Sequence, residues 1–85
     1  MKENIPPRLR WACRRGLLEL DLRLLGFLEA CWPVLSVAEK KTVEVLLKKE
    51  DPEIFQWVTG QAIPEETELA QLVIKIRSFW NQGNK

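Results

Sequence analysis

Apolar residues recur along this chain with the spacing of α-helices, and no stretch shows the apolar/polar alternation typical of a half-buried strand. The clearest helical pattern lies in residues 64–80, where the apolar positions form one i, i+3, i+4 stripe: Leu69, Leu72, Val73, Ile76, Phe79 and Trp80. Residues 17–32 are instead apolar on most sides, since only Glu19, Arg23 and Gly26 form a break in the apolar surface. Such a helix is typical of a central position, packed by several neighbours.

Prolines and glycines divide the first half of the chain. Pro6-Pro7 predicts the start of a first helix over about residues 7–15, with Arg14 and Arg15 in its last turn, where positive charge complements the helix dipole. Gly16 is expected to turn the chain into the second helix, because glycine adopts positive φ at little cost. Pro33 ends that second helix.

Two further start signals complete the pattern. Ser36-Val37-Ala38-Glu39 has the spacing of a capping box and predicts a third helix to about residue 49. Asp51 as N-cap, followed by Pro52 at the first helical position, predicts a short fourth helix that stops at Gly60. We therefore predict an all-α, compact five-helix bundle with short connections, forming one domain over residues 1–85 with an ordered core at about 7–80.

Composition restricts the class of protein. Thirteen Lys and Arg against twelve Asp and Glu give a net charge of +1, which provides no global attraction to nucleic acid or membrane. No apolar run reaches the length of about 18 residues that a membrane span requires. The first residues have neither the apolar segment of a signal peptide nor the character of a transit peptide, so we expect a bacterial-type cytoplasmic protein.

The chemistry-bearing residues are few. The chain has no histidine, which removes the usual general base and the commonest metal ligand. Its two cysteines, Cys13 and Cys31, are too few for a zinc site and are expected to be free, buried thiols. The four glycines are scattered rather than grouped into a phosphate-binding loop. We therefore expect neither an enzyme nor a metal protein.

One corner of the chain concentrates charge. Five residues of the types that most often anchor interfaces lie within eight consecutive positions: Arg8, Arg10, Trp11, Arg14 and Arg15. Helical spacing is expected to place Arg8, Trp11 and Arg15 on one side of the first helix. Glu19 follows shortly and could close a partial capping box after a Gly16 N-cap, or face a partner. Trp11 could be core or surface. A purely structural turn and a binding surface therefore both remain open on spacing alone.

A family resemblance bears on that choice. The residues Trp-Ala-Cys-Arg-Arg-Gly-Leu-Leu-Glu-Leu-Asp, at positions 11–21, resemble the signature of the succinate dehydrogenase assembly factor 2 (SdhE) family. Residues 35–40, 51–57 and 64–69 resemble further family segments in order, so the similarity covers about residues 7–80. The chain departs from the family at Gly26, where many members have proline, and in the connections at 30–33 and 59–62.

The resemblance implies an assembly chaperone that binds the flavoprotein subunit of succinate dehydrogenase, and of its relative fumarate reductase, and promotes covalent attachment of FAD. In that family the bond joins a histidine of the flavoprotein to the flavin, so the FAD is carried by the partner and none is bound tightly by the chain. The residues expected to bind the partner are Arg8, Trp11, Arg14, Arg15, Gly16 and Glu19. We expect a monomer.

Two alternatives come from other classes of protein. One is an antitoxin-like partner of another protein, a role that has also been attached to this family. The other is a small helical nucleic-acid-binding protein that would use the arginines of the corner with the lysines at positions 40, 41, 48 and 49. The near-zero net charge and the lack of a helix-turn-helix pattern disfavour the second alternative.

Overall fold

The computed structural model describes residues 4–83 and contains no strand within them. A 3₁₀ turn, Trp32–Val34, follows the second of five α-helices. The helices are α1, Pro7–Ala12; α2, Leu18–Cys31; α3, Val37–Leu47; α4, Asp51–Val58; and α5, Thr67–Gly83. The predicted all-α five-helix bundle is therefore confirmed. Residues 1–3 and 84–85 of the predicted domain lie outside the described part, and its extent over 1–85 stays a prediction.

Helix α5 occupies the centre of the bundle. It contacts α2, α3 and α4, while α1 packs against α3. Its predicted apolar stripe lies in the core, with the first four members buried and the two aromatic ones half-buried. The prediction of a central α2 is wrong. Leu18 and Leu22 of that helix are exposed, because its buried face is limited to Leu20, Leu24, Phe27 and Leu28.

The junction between α1 and α2 differs from the prediction. Helix α1 ends at Ala12 rather than at residue 15, because the Arg14 N–H donates to the Trp11 carbonyl at 3.0 Å and tightens the last turn. Arg14 and Arg15 therefore follow the helix instead of forming its last turn. Gly16 has φ +87°, which confirms its predicted role in reversing the chain.

Capping at α3 follows the prediction closely. The Ser36 hydroxyl accepts from the Glu39 N–H at 3.0 Å, and the Glu39 carboxylate accepts from the Ser36 N–H at 2.8 Å. The Lys75 ammonium and the Ser36 N–H together hold the pKa of Glu39 below its ordinary value. Since Lys75 lies on α5, this helix start is also tied to the central helix.

The start of α4 differs from the prediction, whereas its end agrees with it. Asp51 is the first residue of the helix and not its N-cap; Glu50 is the N-cap and makes no side-chain capping bond. The opposite end stops as predicted, with Gly60 at φ +91°. The Gln61 N–H donates to the Gln56 carbonyl there at 2.8 Å, which is the hydrogen bond of a Schellman motif.

We expect Ser36→Ala to lower the free energy of unfolding by about 1 kcal/mol, because the Glu39 N–H loses its acceptor. Urea unfolding followed by circular dichroism measures the change. Ser78→Ala, at an exposed position inside α5, is the matched control and should cost nothing, since alanine is the better helix former. Equal urea midpoints for the two variants would contradict the capping assignment.

Candidate partner-binding surface

The turn at Gly16 presents bare backbone to solvent. A Cβ atom added at Gly16 would meet no atom within 4 Å, so packing does not require glycine there; the positive φ does. A hydrogen bond spans the turn: the Arg15 N–H before it donates to the Asp21 carboxylate after it, at 2.8 Å. This bond ties the residue before Gly16 to the first turn of α2 and fixes the turn.

The Arg15 side chain is directed into the protein. Its Nη1 donates to the carbonyls of Ala12 and Leu47, each at 2.9 Å, and its Nη2 donates to the carbonyl of Lys49 at 2.7 Å. Its Nε donates to Asp51, with which it forms an ion pair. Only 14% of the side chain is exposed. Arg15 thus joins the ends of α1 and α3 to the start of α4.

Trp11 lies on the surface, which decides between the two positions that the sequence left open. It is 68% exposed, and the Arg14 guanidinium carbon lies 5.2 Å from its ring centroid. A cation over an aromatic ring at this distance contributes about 0.5–1 kcal/mol at an exposed site. The pair therefore forms an ordered, amphipathic feature beside the Gly16 turn.

Glu19 does not cap α2. The N-cap is Leu17, which makes no side-chain capping bond, so the partial capping box with Gly16, one of the two roles that the sequence left open, is not observed. The Glu19 carboxylate instead accepts from Nε and Nη2 of Arg23, one turn later, at 3.1 and 3.0 Å. Glu19 remains 59% exposed, and an exposed pair of this kind is worth only a few tenths of a kcal/mol. Its carboxylate is accessible to a partner.

Beyond Glu19 an apolar groove of about 660 Å³ runs along α2. Its floor is formed where Trp80 of α5 crosses Gly26: a Cβ at Gly26 would lie 2.8 Å from the Trp80 ring. The Trp80 indole N–H donates to the Arg23 carbonyl at 3.0 Å and holds the ring there. The remaining lining residues are Leu18, Glu19, Leu22, Arg23, Leu25 and Glu29. The groove and the Gly16 turn therefore share the first turns of α2.

The remaining arginines of the corner have acidic partners. Arg8 forms a bidentate pair with Glu44 of α3, at 3.2 and 2.9 Å, and stays largely exposed. Arg10 pairs with Glu29 of α2 at 2.5 Å. The predicted grouping of Arg8, Trp11 and Arg15 on one side of a helix is not observed, because Arg15 lies beyond α1 and its side chain is directed inward.

Cys13 and Cys31 are both free, as predicted. Cys13 is fully buried, and burial raises the pKa of its thiol to about 11. Cys31 is half-buried, so the expectation of a buried thiol is confirmed for Cys13 and not fully for Cys31.

Among residues 4–83, no three His, Cys, Asp or Glu side chains form a possible metal site. No helix in that range is long and apolar enough to cross a membrane.

Sequence reasoning missed four residues of this region: Asp21, Arg23, Asp51 and Trp80. Asp21 ends the signature run and could have been noted as a short acceptor close to a turn. Arg23 stands four residues after Glu19, a recognisable helical pair. Asp51 was interpreted as an N-cap and Trp80 as part of the apolar stripe, and no local signal indicated their contacts with Arg15 and Gly26.

Comparisons with known proteins give a consistent result. The family model described as flavinator of succinate dehydrogenase, Sdh5, matches residues 7–80. A protein of Colwellia psychrerythraea named FAD assembly factor SdhE is 45% identical over 71 residues, covering 80% of this chain and 78% of the relative. Relatives with the same name from Vibrio cholerae and Yersinia pseudotuberculosis are 44% and 41% identical, covering 81% and 84% of this chain and 80% and 81% of their own length.

The buried thiol of Cys13 makes stability depend on pH. Its pKa rises from an ordinary 9.0 to about 11 in the folded protein, so the folded state retains the proton more strongly. The stronger proton binding contributes to the free energy of unfolding. That contribution is fully present below pH 9 and is lost as the pH rises to about 11. We expect the unfolding free energy of the wild type to fall over this interval by about 2–3 kcal/mol more than that of Cys13→Ala.

Urea unfolding at a series of pH values checks this expectation. Other titrating groups are common to both proteins and cancel in the difference. Cys31→Ala is the control and should retain most of the wild-type pH dependence, because Cys31 is only half-buried. Parallel pH profiles for the wild type and Cys13→Ala would show that Cys13 does not carry the effect.

Proposed function

The chain belongs to the family of flavinators of succinate dehydrogenase, and on that premise we propose that it is an assembly factor that binds the flavoprotein subunit of succinate dehydrogenase. In this role it promotes the covalent attachment of FAD to that subunit. Fumarate reductase, whose flavoprotein subunit is related, is included in the proposed range of partners. The names of the relatives, FAD assembly factors, support a chaperone rather than a catalyst.

The observation that carries the proposal is the exposed apolar surface on both sides of the Gly16 turn. Trp11 is 68%, Leu18 is 75% and Leu22 is 57% exposed. Large apolar side chains grouped beside bare backbone are typical of a protein interface. We assign direct contacts with the flavoprotein to Trp11, Arg14, Gly16 and Glu19, whose positions are exposed.

Arg8 and Arg15 belong to the same proposed surface, but both already have partners in the free protein. Arg8 would exchange its exposed pair with Glu44 for a carboxylate of the flavoprotein at little cost, because both groups are solvated. Arg15 is buried among its own hydrogen bonds, which favours a different role for it, taken up below.

The proposed physical role is positioning of the flavoprotein's own groups. Covalent attachment requires a histidine of the flavoprotein to be held against the flavin, and this chain has no histidine to donate. A protein that binds the FAD-loaded, incompletely closed form of the flavoprotein better than other forms raises the population of that form. The assembly factor is then neither an enzyme nor a tight FAD binder, and acts as a cytoplasmic monomer.

The two alternative functions have less support. The reported relatives are named as assembly factors, not as toxin-binding or nucleic-acid-binding proteins. The arginines that nucleic acid would require are engaged by carboxylates at three places: Arg8 with Glu44, Arg10 with Glu29, and Arg15 with Asp51. Counterion release from phosphate contacts would need those ion pairs to open.

We expect a strain that lacks this protein to produce the succinate dehydrogenase flavoprotein with little covalent FAD, because the reacting groups are no longer positioned. Flavin fluorescence of the flavoprotein band in a denaturing gel measures the bound FAD, and a blot for the same subunit controls for its amount. Re-expression of the wild-type chain should restore the fluorescent band. An undiminished flavin signal in the deletion strain would contradict the proposed function.

Glu19→Gln should weaken binding to the flavoprotein by roughly 1.5–3 kcal/mol, about tenfold or more, because a charge-assisted hydrogen bond becomes a neutral one. Thermal stability should hardly change, since the pair of Glu19 with Arg23 is exposed. Isothermal titration against the FAD-loaded flavoprotein measures the affinity. Glu68→Gln is matched, because Glu68 is also the exposed second residue of a helix, and it should bind as the wild type does. Wild-type affinity for Glu19→Gln would remove Glu19 from the interface.

A further inference from the structure

The connections of Arg15 differ from those of its exposed neighbours. A guanidinium has five N–H donors, and four of those of Arg15 are used within the protein, by Asp51 and by the carbonyls of Ala12, Leu47 and Lys49. Asp51 and the two later carbonyls belong to residues more than 30 positions away. A partner could use these donors only if helix-end carbonyls lost their hydrogen bonds, which is costly where they are shielded from water.

We propose that Arg15 is a positioning residue for the partner-binding surface and not a contact with the partner, and that Asp51 acts with it. The inference deepens the proposed function and rests on it. The guanidinium anchors residue 15 to α3 and α4, and the Arg15 N–H anchors Asp21 on α2. Gly16 lies between these two anchors, and Glu19 lies in the helical turn that they orient.

The geometry explains why arginine is needed at this position. A lysine would keep the positive charge but has a single ammonium group, which cannot reach acceptors on three separate segments as a planar fork does. A direct ionic contact with a partner would tolerate lysine better than this internal network does. The two roles therefore predict different consequences for changes at Asp51, whose carboxylate accepts from Arg15 and pairs with it.

The experiment compares the affinities of the wild type, Arg15→Lys and Asp51→Asn for the purified FAD-loaded flavoprotein subunit by isothermal titration. Circular dichroism establishes that each variant is folded at the assay temperature. We expect both variants to bind about tenfold or more weakly, and the double variant to bind no more weakly than the weaker single one, because both changes break one network. Wild-type affinity for Asp51→Asn together with a loss for Arg15→Lys would overturn the proposal and make Arg15 a direct contact.

Arg77→Lys is the matched control. Arg77 also donates to carbonyls at a helix end, those of Trp57 in the last turn of α4 and of Ala62 after it, but this is the opposite end of α4 from Asp51. We expect this variant to lose thermal stability while its affinity stays within twofold of the wild type. An equal loss of affinity would show that any weakened junction impairs binding, which would overturn the specific role of Arg15.

A second measurement needs no partner. The Arg15 amide, which donates to Asp21, should exchange its hydrogen with solvent faster in Asp51→Asn and at the wild-type rate in Arg77→Lys. Unchanged exchange in Asp51→Asn would overturn the positioning role, even if Arg15→Lys failed to fold. A wild-type protein that does not bind the flavoprotein would contradict the proposed function while this exchange result still stood.

Discussion

The ends of helices leave carbonyl groups without hydrogen-bond donors. In this small bundle the side chain of Arg15 donates to three such carbonyls, those of Ala12, Leu47 and Lys49. Amides of the connection after α3 bond back to the carbonyls of Val45 and Leu46, whereas the carbonyls of Leu47 and Lys49 accept from Arg15. Because Asp51 balances the charge at the same place, the guanidinium is paired as well as hydrogen-bonded. The position of the Gly16 turn therefore depends on helices that are distant along the chain.

The same arrangement accounts for the apolar surface of α2. Helix α5 takes the central position and covers only one face of α2, so Leu18 and Leu22 remain exposed beside Trp11 and Gly16. Exposed leucines contribute nothing to a monomer's core, and a surface that retains them is suited to association. The chain belongs to the flavinator family. Under the proposed function, the partner of this surface is the flavoprotein to which FAD is attached.

Gly26 and Trp80 show how a local departure from the family pattern is accommodated. The resemblance implies proline where this chain has Gly26, and here the Trp80 ring occupies the space that a side chain would need. The ring is held by its bond to the Arg23 carbonyl and by edge-to-face packing on Phe79, at 5.3 Å between ring centroids. The floor of the groove is thus made by the end of α5.

Local patterns were sufficient for the helices themselves. The stripe of α5, the capping box at Ser36, the turn at Gly16 and the stop at Gly60 are short-range effects of periodicity, side-chain acceptors and positive φ, and all were predicted correctly. The resemblance of the signature to a known family directed attention to the corner around Gly16, whose role as a binding surface stays a proposal. Contacts between distant residues could not be predicted in this way: Arg15 with Asp51, and Trp80 over Gly26, depend on which helices pack together. Only the tertiary structure decided that α5 is central, that Arg15 points inward and that Trp11 points outward, because burial is a property of the whole packed chain and not of a local pattern.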